Sequence, residues 1–164
     1  MFSLEGKTAL VTGASGGIGS SIARSLARQG ARLALSGSNA SKLRSFREEL
    51  NDEFGHDHVE ITCDLSNTTQ VEELVPAALD TFGQLDILVN NAGITRDNLA
   101  MRMKDEEWEA VIKVNLEAAF RLMRAACRPM MKAKYGRIVT TLVTDTSSTV
   151  RPIIGPSTLP PSST

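Results

Sequence analysis

From Thr12 to Gly19 the chain reads Thr-Gly-Ala-Ser-Gly-Gly-Ile-Gly. Before it stands Thr8–Thr12 (TALVT), short, apolar and rich in β-formers; after it, Ile18 to Gln29 repeats apolar residues at helical spacing. A glycine turn in that setting constrains the fold strongly, because the chain must leave a strand and enter a helix at once. Gly13 lets the backbone turn sharply out of the strand. Gly17 lets a pyrophosphate approach with no Cβ in the way, and Gly19 lets the helix lie close to the sheet. The free N–H groups and positive end of that helix then face the phosphates. Gly13, Ala14, Ser15, Gly16, Gly17, Ile18 and Gly19 are the candidate phosphate-binding residues, and a glycine turn without a ligand is the plain alternative.

The same strand-to-helix alternation continues along the chain. Further strands are predicted at Arg32 to Leu35, Val59 to Cys63, Asp86 to Val89 and Arg137 to Val143. Helices are predicted at Ala40 to Phe54, capped by Asn39 or Ser41, and at Thr68 to Phe82, stopped by Gly83. Asp105 to Lys132 reads as one long amphipathic helix with an acidic first turn, and Trp108 as a packing anchor on it. Alternation of this kind argues for right-handed βαβ units, hence an α/β fold: a Rossmann-like, doubly wound parallel sheet of about five strands. One nucleotide-binding domain is expected over residues 1–143. Residues 144–164 hold four of the six prolines and ten Ser or Thr. Such a stretch makes neither a helix nor a central strand, and a disordered or loosely attached tail is expected.

Composition narrows the setting. A net charge of -1 gives no reason to expect nucleic acid or an anionic membrane as the main partner. Cys63 and Cys127 each sit in an apolar run, which suits reduced, buried thiols. No basic leader precedes an apolar stretch, and no apolar run approaches the ~20 residues that span a bilayer. The cytoplasm is the expected location. His56 and His58 flank Asp57 in a polar turn, but no third ligand is spaced to complete a metal site, so a solvated loop and no metal are expected.

The G-x-x-x-G-x-G spacing preceded by Thr, Asp64-Leu65, Asn90-Asn91-Ala92-Gly93 and Asn115 occur in one order. Together they resemble the short-chain dehydrogenase/reductase family over roughly Leu4 to Val139. The resemblance implies that Asp64 and Leu65 contact adenine; Asp64 capping the turn into the next helix is an equal reading. It implies that Asn91, Ala92 and Gly93 stand where the nicotinamide ribose passes. Asn115 becomes a catalytic residue, helping to hold a water in a proton relay from a lysine; a polar residue that bends its helix is the alternative. Ile94 to Trp108 and Met130 to Ile138 look like the branch that reduces 3-oxoacyl thioesters on acyl carrier protein with NADPH during fatty-acid elongation. Its partners would be a β-ketoacyl thioester on acyl carrier protein and further copies of the same subunit.

At the end of the second strand, where NAD-binding sites place a carboxylate, this chain has Leu35-Ser36-Gly37-Ser38-Asn39. Nothing there repels a 2′-phosphate, and Ser36, Ser38 and Asn39 are donors, so NADP(H) is the expected cofactor. Gly16 and Gly37 supply no arginine, and strand alternation leaves the direction of Arg32 open.

The family's chemistry needs a serine and a Tyr-x-x-x-Lys pair. Aligned on Gly136 to Ile138, those positions fall on Val143, Pro156 and Pro160. Tyr135 is the single tyrosine, and no lysine follows Lys134. Asn115 is then the one catalytic residue that matches. An inactive or impaired reductase is expected, with a noncatalytic NADP(H)-binding module or a nonfunctional truncation product as alternatives, and an out-of-frame tail after about Thr140. The last strand would be an open edge, and one face of the long helix would lack cover. Arg128, Lys132, Lys134 and Arg137 cap and solvate the helix end; the resemblance alternatively implies docking of the acidic carrier protein.

Overall fold

The computed structural model describes residues 3–55, 57–96, 99 and 101–141. Five strands form one parallel sheet: β1 (Thr8–Thr12), β2 (Arg32–Gly37), β3 (Val59–Thr62), β4 (Ile87–Asn90) and β5 (Arg137–Thr140), in the order β3-β2-β1-β4-β5. Helices α1 (Gly17–Arg28), α2 (Ala40–Phe54), α3 (Thr68–Phe82), α4 (Asp105–Ile112) and α5 (Ala118–Ala133) make the crossovers. The chain builds outward from β1 to β3 and then returns to lay β4 on the other side of β1. That reversal creates a crevice at the carboxyl ends of β1 and β4, where open α/β sheets take their ligands.

Side-chain alternation along β1 divides the core into two layers. Ala9 and Val11 join Ala23 and Ala27 of α1 and Leu43 and Leu50 of α2 on one face. Leu10 joins Leu74 and Val75 of α3, Leu88 of β4 and Leu122 of α5 on the other. Leu10, Leu33, Leu35, Leu43, Leu50, Leu74, Leu88 and Leu122 are fully buried, each contributing about 1.5–3 kcal/mol. At the end of the sheet away from the crevice, Asp86 ties β4 to β1. Its Oδ2 accepts from the Thr8 N–H at 2.9 Å and from Gln84 Nε2 at 2.9 Å, while Lys7 Nζ lies 3.3 Å from Oδ1. Lys7 also stacks on Tyr135, 3.7 Å from the ring centroid.

Five expectations change. The long helix is interrupted between α4 and α5 by a π-helical turn, Lys113–Glu117. Trp108 does not anchor packing; it is 58% exposed. Cys63 is buried but Cys127 is exposed among the described residues. His58 does not sit in a solvated loop. It is buried, and its Nδ1 accepts the Leu33 N–H at 3.1 Å, supplying an acceptor where β2 begins. β5 is described as a strand only over Arg137–Thr140, all of it exposed. His56, Val143 and the expected tail at 144–164 lie outside the described residues. Among the described residues no helix is long and apolar enough to cross a membrane, and no three His, Cys, Asp or Glu gather as a metal site.

Candidate functional site

Two loops meet in the crevice, and glycine permits the meeting. Gly13 has φ +64°, and a Cβ there would come within 2.9 Å of Ala92 Cα. A Cβ on Gly19 would stand 2.0 Å from the Gly13 carbonyl oxygen and 2.7 Å from Asn91 Nδ2. The β1–α1 turn, the first turn of α1 and the β4–α4 loop are thus pressed together with no room for a side chain. Gly17 is different: nothing lies within 4 Å of where its Cβ would be. It opens α1 and faces free space, so backbone N–H groups at the helix start are accessible to an anion.

Buried hydrogen bonds hold the loops in register. Thr12 Oγ1 accepts from the N–H groups of Asn91 at 3.0 Å and Ala92 at 3.1 Å, and donates to the Val89 carbonyl at 3.3 Å. Asn91 Nδ2 donates to the Thr12 carbonyl at 3.1 Å. The structural role of Thr12 went unread in the sequence, since it depends on residues almost eighty positions away. On the far side of the loop, Asn115 Oδ1 accepts the Ile94 N–H at 2.8 Å and its Nδ2 donates to the Ile94 carbonyl at 2.9 Å. Asn115 is central in the π turn, whose wider winding breaks the regular helical ladder, as such turns often do at functional sites. The helix departs from α geometry at Asn115, the alternative reading of this residue, and both polar atoms of its amide are bonded to the Ile94 backbone of the site loop. It clamps the loop and does not itself line the cavity.

The cavity over these loops has a volume of about 610 Å³, within the range of small-molecule and cofactor sites. Gly13, Ser15, Gly16, Gly17, Ile18 and Gly19 line its phosphate end; Ser38 lies at the end of β2; Asp64 and Leu65 follow β3; Asn91, Ala92 and Gly93 follow β4. Of the candidate cofactor-binding residues, Ala14 alone does not line it: it is fully buried behind the turn, its N–H bonded to the Ser36 carbonyl at 2.9 Å. Ile94, Val114 and Lys42 join the lining without having been singled out in the sequence.

Electrostatics suit a bound nucleotide. Asp64 Oδ1 accepts from Ser66 Oγ at 2.7 Å and the Ser66 N–H at 2.9 Å. These bonds, with a smaller contribution from the Lys113 charge, hold its carboxyl below the usual carboxylate value, so it stays ionised as an acceptor. Asp64 therefore shapes its turn and lines the cavity at the same time. Beside it, burial first and the Asp64 charge second push the Cys63 thiol up to about 11, leaving it protonated and unreactive near neutrality. Asn39 Oδ1 accepts the Lys42 N–H at 3.0 Å, capping α2. Arg32 stands at the opposite end of β2 with its guanidinium 4.8 Å from the Phe82 ring centroid, away from the site.

This arrangement has parallels. The 3-oxoacyl-[acyl-carrier-protein] reductase of Rickettsia felis is 49% identical over 139 residues, covering 85% of this chain and 54% of the relative. The enzyme of the same name from Escherichia coli is 45% identical over 136 residues, covering 83% and 54%. A metagenomic short-chain oxidoreductase solved in complex with NADP superposes with a TM-score of 0.79 at 40% identity, covering 84% of this chain and 61% of that one. The chain spans about half the length of the curated relatives it matches. A sequence model described as short chain dehydrogenase matches residues 7–151, reaching past Val139. With turn, clamp and sheet order in place among the described residues, the chain belongs to the short-chain dehydrogenase family.

Proposed function

We propose that this chain binds NADP(H) across the crevice and is the cofactor-holding half of an NADPH-dependent 3-oxoacyl-acyl-carrier-protein reductase, with reduction lost or impaired in this sequence. The observation that carries the proposal is Gly17. It opens α1 onto a large cavity, and nothing lies within 4 Å of where its Cβ would stand, whereas a Cβ on Gly13 or Gly19 would clash with the facing loop. Backbone N–H groups of Gly17 to Gly19 would hold the pyrophosphate. Asp64 would accept from the adenine amino group beside Leu65, Ser38 would donate toward the 2′-phosphate, and Asn91 to Gly93 would flank the nicotinamide ribose. When bound, the nicotinamide supplies a hydride. Asn115 fixes the loop that borders it and would place a water for proton delivery.

Proton delivery itself lacks its donor in this sequence. Tyr135 packs under Lys7 at the opposite end of the sheet, and Val143, Pro156 and Pro160 occupy the family's serine, tyrosine and lysine positions. The reading places the chain in the cytoplasm and in fatty-acid biosynthesis, with acyl carrier protein and other subunits as partners. One observation favours the second reading, a noncatalytic NADP(H)-binding module that pairs with other subunits: Trp108, Leu116, Phe120 and Met131 are all more than half exposed. Calorimetric titration with NADPH, followed by an NADPH-oxidation assay with a β-keto thioester, tests the proposal. Saturable binding with little or no turnover is expected. Failure to bind would refute it, and robust turnover by the pure chain would refute the impaired step.

A further inference from the structure

We infer that Thr141, the residue that follows β5, is a positioning residue for the bound nucleotide: its hydroxyl fixes the Asn91 amide that ties the β4–α4 loop to the glycine turn. This role rests on the nucleotide-binding reading above and adds to it a residue from a different strand.

Asn91 is a buried amide with both polar atoms engaged. Its Nδ2 donates to the Thr12 carbonyl at 3.1 Å and reaches the Gly13 carbonyl at 3.5 Å, where the chain leaves β1. The same nitrogen would stand 2.7 Å from a Cβ on Gly19, so the amide lies against the first turn of α1. Oδ1 faces the other way, toward the end of β5, and Thr141 Oγ1 stands 3.3 Å from it.

The direction of that bond follows from counting donors. Thr141 has one hydroxyl proton, and its Oγ1 is also 3.4 Å from the Asn90 carbonyl. That carbonyl already accepts the Thr141 N–H at 2.9 Å. Asn91 Oδ1 has no other donor among the described residues, and a buried amide oxygen left without one is costly. The hydroxyl proton therefore goes to Oδ1. With Oδ1 held from β5, Nδ2 is aimed at the turn; without that donor, the amide is released to rotate away from the Thr12 and Gly13 carbonyls. Thr141 does not line the crevice, so it acts through Asn91, which does.

Thr140 supplies the contrast. The two threonines stand together between Ile138-Val139 and Leu142-Val143, in an otherwise apolar run. Thr140 Oγ1 meets only Asn90 Nδ2, at 3.5 Å, and Asn90 does not line the crevice. A hydroxyl at Thr140 thus has no line to the nucleotide, although it belongs to the same strand end.

The test compares NADPH and NADH titrations of the full chain with those of Thr141→Val, Thr141→Ser and Thr140→Val, each checked by a urea melt. Thr141→Val keeps the shape and removes the donor, and should weaken both nucleotides roughly 3- to 10-fold. The loss should be the same for both, because Asn91 stands beside the nicotinamide ribose that they share. Thr141→Ser should restore the parent affinity, and Thr140→Val should leave it unchanged. The Asn91 side-chain NH2 signals in nitrogen–proton NMR spectra should move in Thr141→Val before any nucleotide is added, and stay in place in Thr140→Val. Unchanged affinity in Thr141→Val, an equal loss in Thr140→Val, no rescue by serine or unmoved Asn91 signals would overturn the role of Thr141 while leaving the nucleotide site standing. Binding of neither nucleotide by the parent chain would overturn both.

Discussion

β1 and β5 belong to the same sheet and share a neighbour, β4, yet they differ in almost every physical respect. β1 has a strand on each side, and all five of its residues are buried. β5 has one strand partner among the described residues, and all four of its residues are exposed, including Ile138 and Val139. The nucleotide crevice is built at the carboxyl end of β1, the best supported strand. The family's proton-donating residues belong after β5, the least supported one. The π turn stands between the two regions: Asn115 reaches from the segment joining α4 and α5 to clamp Ile94 in the loop that borders the crevice.

Breaking the crevice should produce the largest effects. In Gly19→Val the new side chain would enter space already held by the Gly13 carbonyl and Asn91. A loss of about 3 kcal/mol of stability is expected in urea melts, with NADPH binding abolished. Unchanged stability would mean that the loops are not pressed together as described.

Smaller losses should follow when the clamps are cut. Thr12→Val keeps the shape but strands the N–H groups of Asn91 and Ala92, and about 1–3 kcal/mol should be lost. Asn115→Leu should cost a similar amount through Ile94 and should weaken nucleotide binding as well.

The two cysteines sharpen the contrast by reactivity. Near pH 8, iodoacetamide should label exposed Cys127 in the native chain and spare buried Cys63, as read by mass spectrometry. Because burial raises the Cys63 pKa, the neutral thiol is favoured in the folded state. Its contribution to stability is complete below the unfolded value near 9.0 and fades as pH rises through about 11. Least affected should be the outer layer: Trp108→Ser should change stability by no more than about 0.5 kcal/mol and leave NADPH affinity alone.

Local pattern made most of the fold legible. The alternation of apolar strands with amphipathic helices carried the sheet, and the glycine spacing identified a turn in which Gly13 and Gly19 are hemmed in while Gly17 faces open space. Long-range partners were not legible in the same way. Thr12 was visible only as the residue before the first glycine, because its partners come from the other loop. The helical period across Asp105 to Lys132 concealed the π turn, since an apolar pattern reports which residues are apolar and not which carbonyl each N–H reaches. Trp108 lies on an apolar face, but periodicity cannot say whether anything covers that face. His58 sits among polar neighbours in sequence, and the Leu33 N–H and Asn51 that hold it come from β2 and α2.

Hydrogen exchange of the full chain with and without NADPH tests the nucleotide site most directly. Saturating NADPH should slow exchange in residues 13–19, 36–39 and 91–94, leaving β5 unchanged. No protection at the glycine turn, or protection centred on Arg137–Thr140, would contradict the placement of the cofactor in the crevice beside β1.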